Sequence, residues 1–346
     1  MKHIKRHPEL PSFVRVNIPH TREDVSQIQK DIQVRLDNWI AKYGPWHKKK
    51  DVKITIKSER RRSYEGTFYA EQHITYNGEK GKTIPAYLLI PEVGKSKLPA
   101  VVANHQCNVD CDLGKDAVVG KSYNRSDQAY GFELMRNGFV VLAPDSINCG
   151  ERAIAGLKGP ECSKDKCWQA AIPFLSVTSF YLKHIWDATR AVDVLCSLDC
   201  VDSSRIGMIG HSLGAGTSFW TAVVDTRVRA SVLSCHFLGG LGGSPWYQAY
   251  GEDQGGIYYH ELLALIAPRA VLATRGRRKE KLLKFCLNSS RSELAVMQWA
   301  FEYAKLFCTL QDVPESHMRC RFFNGAHEFP ESERNFAYQW LKKHLM

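Results

Sequence analysis

The chain has 346 residues, of which 44% are hydrophobic, 11% aromatic and 24% charged, a composition that excludes a largely disordered polypeptide. No run of about 18 consecutive uncharged apolar residues occurs, so no membrane-spanning helix is expected. Lys+Arg 47 against Asp+Glu 36 leaves +11, and residues 1–97 carry 20 basic and 11 acidic side chains, the larger part of that excess.

The first residues, Met1-Lys2-His3-Ile4-Lys5-Arg6, are basic but are not followed by an apolar run. No signal peptide is predicted, and a cytoplasmic location is expected. The runs His47-Lys48-Lys49-Lys50 and Arg60-Arg61-Arg62 lack interleaved aromatics. They read as a solvated basic face, and nucleic acid is not expected as a partner. Residues 22–43 predict an amphipathic helix through Val25, Ile28, Ile32, Leu36, Trp39 and Ile40, closed by Gly44-Pro45. Strands are predicted at 52–57, 66–76 and 83–90, with Asn77-Gly78 as a turn.

From Pro99 the texture changes to short apolar runs at 100–103, 140–143, 206–209, 230–233, 270–273 and 320–323. Helical patterns at 185–195, 215–224, 294–310 and 332–345 alternate with them, as in a mostly parallel sheet covered by helices. The fold class is therefore α/β. An N-terminal extension of helix and edge strands over 1–79 precedes a catalytic domain over 80–346. The eleven cysteines form no disulfide framework. The spacings Cys107-x3-Cys111 and Cys162-x4-Cys167 are too wide for a zinc knuckle, so neither metal nor cofactor is predicted.

Chemistry concentrates at Gly210-His211-Ser212-Leu213-Gly214, between the run ending at Ile209 and the helical pattern from Ala215. Glycines on either side of a serine at a strand-to-helix turn let the backbone bend sharply and hold the hydroxyl exposed. Ser212 is the predicted nucleophile. A serine needs a base, and His327, after the last strand run and before the last helix, is the predicted one. His211 is expected to pack beneath the turn.

These motifs resemble the α/β-hydrolase superfamily, in particular its dienelactone-hydrolase-like and acetyl-xylan-esterase-like branch, over residues 80 to 346. The resemblance is carried by Asn104-His105-Gln106, Gly114-Lys115-Asp116, Ala143-Pro144-Asp145 with Gly150-Glu151-Arg152, the serine turn, Ala267-Pro268-Arg269 and Gly325-Ala326-His327. It implies an oxyanion hole from the backbone N–H of Leu213 and of Gln106 or Cys107. It also implies a structural ion-pair role for Glu151-Arg152, and a triad acid after the strand at 270–273. At that place the chain reads Arg275-Gly276-Arg277-Arg278-Lys279-Glu280, with lysine where an aspartate is often found. Glu280 is the first candidate for the acid, Glu293 the second, and Glu252 with Asp253 the third. Cap insertions are expected at 108–125, 153–179 and 239–259, the last rich in Trp and Tyr.

The function expected is hydrolysis of a small-molecule carboxylic ester through an acyl-enzyme on Ser212. The alternative is a hydrolase-fold protein that has lost catalysis and serves as a binding or scaffold module, which the arginine-rich acid site favours.

Overall fold

The structure is a computed structural model that describes residues 4–8, 16–43, 51–78, 81–94, 96–106, 113–121, 126–153, 180–236, 257–278 and 291–346. Two compact units emerge, each assembled from separated stretches of chain. The larger comprises residues 44–234 and 329–346, the smaller residues 1–43 and 235–328.

Among its described residues the larger unit holds seven strands: β1 (Ile54–Tyr64), β2 (Thr67–Asn77), β3 (Thr83–Pro91), β4 (Leu98–Asn104), β5 (Val140–Pro144), β6 (Val201–His211) and β7 (Val228–Ser234). They pair in the order β1-β2-β3-β5-β4-β6-β7. β1, β2 and β3 run antiparallel to their neighbours, whereas β5, β4, β6 and β7 run parallel. The parallel strands are buried on both faces, which explains why they read as short unbroken apolar runs.

Helices α2 (Lys115–Val118), α3 (Tyr130–Arg136), α4 (Phe180–Ser197), α5 (Leu213–Val224) and the C-terminal helix Glu331–Leu345 belong to this unit. The shortness of α2 and α3 hides any helical period, and the sequence marks neither as a helix. α5 is buried along nearly all its length, so it carries no polar stripe.

β1 departs most from expectation. It continues through Arg60-Arg61-Arg62 to Tyr64 and is exposed almost throughout. Salt bridges tie it to β2 through Arg62–Glu71 (3.1 Å) and to the residue after β3 through Arg61–Glu92 (2.8 Å). Alternating burial, the signature that makes a strand legible, is missing because neither face of β1 enters the core.

In the smaller unit α1 (Arg22–Tyr43) buries Val25, Ile32, Leu36 and Trp39. Its start is capped reciprocally, Asp24 N–H donating to Thr21 Oγ1 (3.1 Å) and Thr21 N–H donating to Asp24 Oδ2 (2.9 Å). It packs on α6 (Tyr259–Ile266), where Gln29 Nε2 donates to the Ala264 carbonyl (2.8 Å) and Arg35 pairs with Glu261 (2.5 Å). The unit also holds α7 (Arg291–Thr309) and the parallel pair β8 (Ala270–Gly276) and β9 (Met318–Phe323). The C-terminal helix of the larger unit is numbered α8.

The core of the larger unit encloses charge. Asp187 on α4, itself buried, pairs with Arg152 (2.8 Å) and with Lys183 one turn earlier. Burial alone would raise its carboxyl pKa, but the two cations outweigh this and hold it below the usual range. Removing one member of such a pair strands the others in a low-dielectric interior. Asp187→Asn should therefore destabilise the chain by about 3–5 kcal/mol in urea unfolding, and a change within error would refute that role.

Candidate active site

The serine turn is shaped by contact between backbones. β6 ends at His211, Ser212 caps α5, and Ser212 takes φ 55° and ψ −117°, a region that side chains rarely enter. The reason lies in Gly210 and Gly214. A Cβ on Gly210 would lie 2.2 Å from the backbone carbon of Gly214, and a Cβ on Gly214 would lie 2.1 Å from the Asn104 oxygen. The first turn of α5 is thereby pressed onto the end of β4, which only glycine permits. Ser212 N–H donates to the Ser234 carbonyl (2.8 Å), and Gly216 N–H to the Ser212 carbonyl (3.1 Å). Ser212 is half-exposed while His211 and Leu213 are buried.

His211 behaves as the sequence suggests. It is fully buried, its Nδ1 lies 2.9 Å from Ser234 Oγ, and its ring stacks on Phe329 at 6.3 Å with 8° between planes.

Among the predicted oxyanion donors, the structure brings Gln106 and Leu213 into one neighbourhood. Asn104 sits opposite Gly210 in the β4–β6 register, and His105 O lies 2.7 Å from where a Gly214 Cβ would stand. Leu213 occupies the first position of α5, where a backbone N–H has no intrahelical acceptor. Cys107 lies outside the described residues. His105, to which the sequence assigned no role, fixes the loop. Its Nδ1 lies 2.7 Å from the Gln106 carbonyl and its Nε2 accepts from Ser146 N–H at 2.9 Å. Those contacts require a neutral ring protonated on Nδ1, and burial, the largest influence, lowers its pKa accordingly.

Asp145 is a second residue whose importance the sequence concealed. Its buried carboxylate accepts from Lys115 N–H (2.8 Å), Lys115 Nζ (2.6 Å) and Glu151 N–H (3.0 Å). Burial opposes the charge on Lys115, but Asp145 and Glu151 overcome it and raise its pKa. Gly114 (φ 43°) and Gly150 (φ 56°) are the legible trace of this packing, since a Cβ on either would meet Asp145 Oδ1 at 2.2 Å. Glu151 and Arg152 do form ion pairs, yet with different partners: Glu151 with Lys115, its Oε1 also 2.7 Å from His73 Nε2, and Arg152 with Asp187.

His327 belongs to the smaller unit, half-buried in the turn after β9. Its turn is held from β8 by Arg277 N–H to Phe323 O (3.0 Å), Arg278 N–H to Gly325 O (2.8 Å) and Arg278 Nε to Asn324 Oδ1 (3.0 Å). Cys235 Sγ adds a weak contact to Glu328 O at 3.4 Å. A Cβ on Gly276 would lie 2.0 Å from Ala326 O, so β8 and the turn touch backbone to backbone.

His236, at the start of the smaller unit's second stretch, senses both Arg275 and His327. Burial first, then the charges of Arg275 and His327, push His236 down to about 3. Glu280, Glu252 and Asp253 lie outside the described residues, and Glu293 is placed in the first turn of α7. The predicted caps fall largely outside them as well, at 108–112, 122–125, 154–179 and 239–256. Among the described residues no helix is long and apolar enough to cross a membrane.

Fold and serine turn together define the α/β-hydrolase fold. Residues 9–238 match the abhydrolase family, and the chain belongs to that family. It is 28% identical over 208 residues to the candidate hydrolase YtaP of Bacillus subtilis (strain 168), a match spanning 56% of this chain and 64% of that protein. Among solved structures it is similar to a glucuronoyl esterase from Solibacter usitatus (TM-score 0.66, 14% identity, covering 94% of this chain and 95% of that one). It is also similar to a candidate acetyl xylan esterase from Bacteroides fragilis NCTC 9343 (TM-score 0.67, 13% identity, 96% and 91%).

Two measurements test this geometry. Gly214→Ala should lower stability by about 1–3 kcal/mol, because the added methyl cannot share space with the Asn104 carbonyl. An unchanged melting temperature would contradict it. For His236, a pKa held below its ordinary 6.5 means that the folded chain binds fewer protons than the unfolded one. Its contribution to stability is present above about pH 6.5 and fades as pH falls toward about 3. Relative to the parent, His236→Phe should gain about 1.4 kcal/mol per pH unit across that window, read from urea midpoints, and parallel pH profiles would exclude the effect.

Proposed function

We propose that the protein is a serine hydrolase that cleaves carboxylic esters. The observation that carries this reading is the strained, half-exposed Ser212 at the strand-to-helix turn. Such a backbone conformation costs about 1–3 kcal/mol, and here two close-packed glycines maintain it. A turn needed only for packing gains nothing from a serine in that state.

In the proposed reaction Ser212 Oγ attacks the acyl carbon as His327 takes its proton. The carbonyl oxygen gathers charge and accepts from the backbone N–H of Leu213 and of Gln106 or Cys107. Collapse expels the alkoxide, which His327 protonates, leaving an acyl-enzyme. Water, deprotonated by the same imidazole, then attacks the acyl carbon and releases the acid and Ser212. Glu280 is the carboxylate proposed to orient His327. The names of the structural neighbours, a glucuronoyl esterase and a candidate acetyl xylan esterase, support esters of carbohydrate as the class to assay first.

The cations Arg275, Arg277 and Arg278 near the His327 turn favour a second reading, a binding module that has lost catalysis. The two readings separate on p-nitrophenyl acetate and an acetylated sugar. The parent should hydrolyse at least one, and Ser212→Ala should lower kcat/KM by about 10⁴-fold or more. Glu280→Ala should lower kcat with little change in KM. Equal rates for parent and Ser212→Ala would overturn the serine mechanism, and full activity in Glu280→Ala would move the acid to Glu293 or to the Glu252–Asp253 pair.

A further inference from the structure

The first turn of α5 touches the end of β4 backbone to backbone, but contact alone only limits approach. It leaves the helix free to slide along the strand or to turn about its own axis, because dispersion attraction has no direction. A directed link lies beside it. Asn104, the last residue of β4 after the apolar run 100–103, is buried, and its Nδ2 donates to Ser218 Oγ (3.0 Å) in the second turn of α5. Ser218, buried too, donates in turn to the Gly214 carbonyl (2.9 Å). With its proton committed to Gly214, the Ser218 oxygen is left to accept, and the Asn104 amide supplies the donor.

The main chain of Asn104 is held as well. Its carbonyl accepts from Tyr130 Oη (2.5 Å), the buried first residue of α3, and the same hydroxyl is hydrogen-bonded to the His211 backbone. Tyr130 thus joins the end of β4 to the end of β6, the strand that leads into Ser212. An apolar side chain of similar volume would fill the place of the Asn104 amide equally well, so what the amide adds is direction. The line of bonds from Asn104 through Ser218 ends at Gly214, one residue from Leu213, and begins two residues from Gln106.

We propose that Asn104 is a positioning residue of the ester site, one that through Ser218 sets the spacing of the Leu213 and Gln106 backbone N–H groups. This rests on the serine-hydrolase reading above. The two N–H groups stand on different elements, one at the start of α5 and one beyond the end of β4, so no local backbone geometry fixes their separation. Donors stabilise an oxyanion from about 2.7–3.1 Å, and a misplacement of about 1 Å can cost about 10²-fold in rate. A bond that ties the two elements together beside the donors therefore acts on the transition state and leaves ground-state binding of the ester alone.

The test is a double-mutant cycle in the full chain, Asn104→Leu, Ser218→Ala and both together, assayed with p-nitrophenyl acetate below the melting temperature of each variant. Each single change should lower kcat by about tenfold to a hundredfold with KM within about threefold of the parent. The double variant should be no slower than the slower single one, because both remove the same link. Affinity for phenyl trifluoromethyl ketone, which adds to a serine as a tetrahedral oxyanion, should fall in step with kcat. Should Asn104→Leu not fold, Ser218→Ala, the smaller change, decides by its kcat and ketone affinity. Parent kcat in the single variants would overturn the assignment, as would a rise in KM at unchanged kcat or losses that multiply in the double variant. Ser212→Ala separates the two failures. Its inactivity beside a fully active Ser218→Ala overturns the role of Asn104 alone, whereas parent activity in Ser212→Ala, or none in the parent, overturns the ester-site reading with it.

Discussion

The closeness of one contact governs this molecule: the first turn of α5 against the end of β4. Gly214 and Asn104 meet at a distance that admits no side chain, and Gly210 is closed off by the same turn. Ser212 cannot relax, because its N–H is held by Ser234 and its carbonyl by Gly216. Strain is thus enforced by packing rather than by a ligand. The parallel strands and the buried face of α5 supply the rigidity that such enforcement requires.

A second layer of constraint surrounds the first. Two buried polar centres hold the residues on either side of positions 107–112. His105 bridges Gln106 and Ser146, while Asp145 receives both the backbone and the ammonium of Lys115. Each polar group replaces water with a directed partner, so His105 and Lys115 are fixed by hydrogen bonds whose loss would leave buried polar groups unpaired. Neutral His105 and ionised Asp145 do related mechanical work through opposite electrostatics.

How much of this was legible depended on whether a residue's reason lies in its neighbours along the chain. Ser212 was legible because Gly210 and Gly214 flank it in a strand-then-helix context. The parallel strands were legible as apolar runs, and α1 through the spacing of its buried residues. The arginines of β1 did not read as strand, since a strand exposed on both faces has no alternation to display. α3 and α6 were too short to show a period. Asp145 and Lys115 stand thirty residues apart, and nothing local marks them as partners except the two glycines that make room. The two-unit division was hidden for the same reason, because residues 1–43 join residues 235–328 through contacts such as Arg35–Glu261 that sequence order does not suggest.

β1 has a consequence for how copies of the chain meet. Among the described residues it pairs only with β2, so its outer edge offers unpaired backbone groups, a template onto which another strand can add. Arg61 and Arg62 are paired with Glu92 and Glu71, yet Lys57 and Arg60 also lie on that strand, and two copies aligned along it would set these like charges within a Debye length of one another. The cations that read as a merely solvated face thus act as a guard, keeping an open sheet edge from becoming a site of self-association.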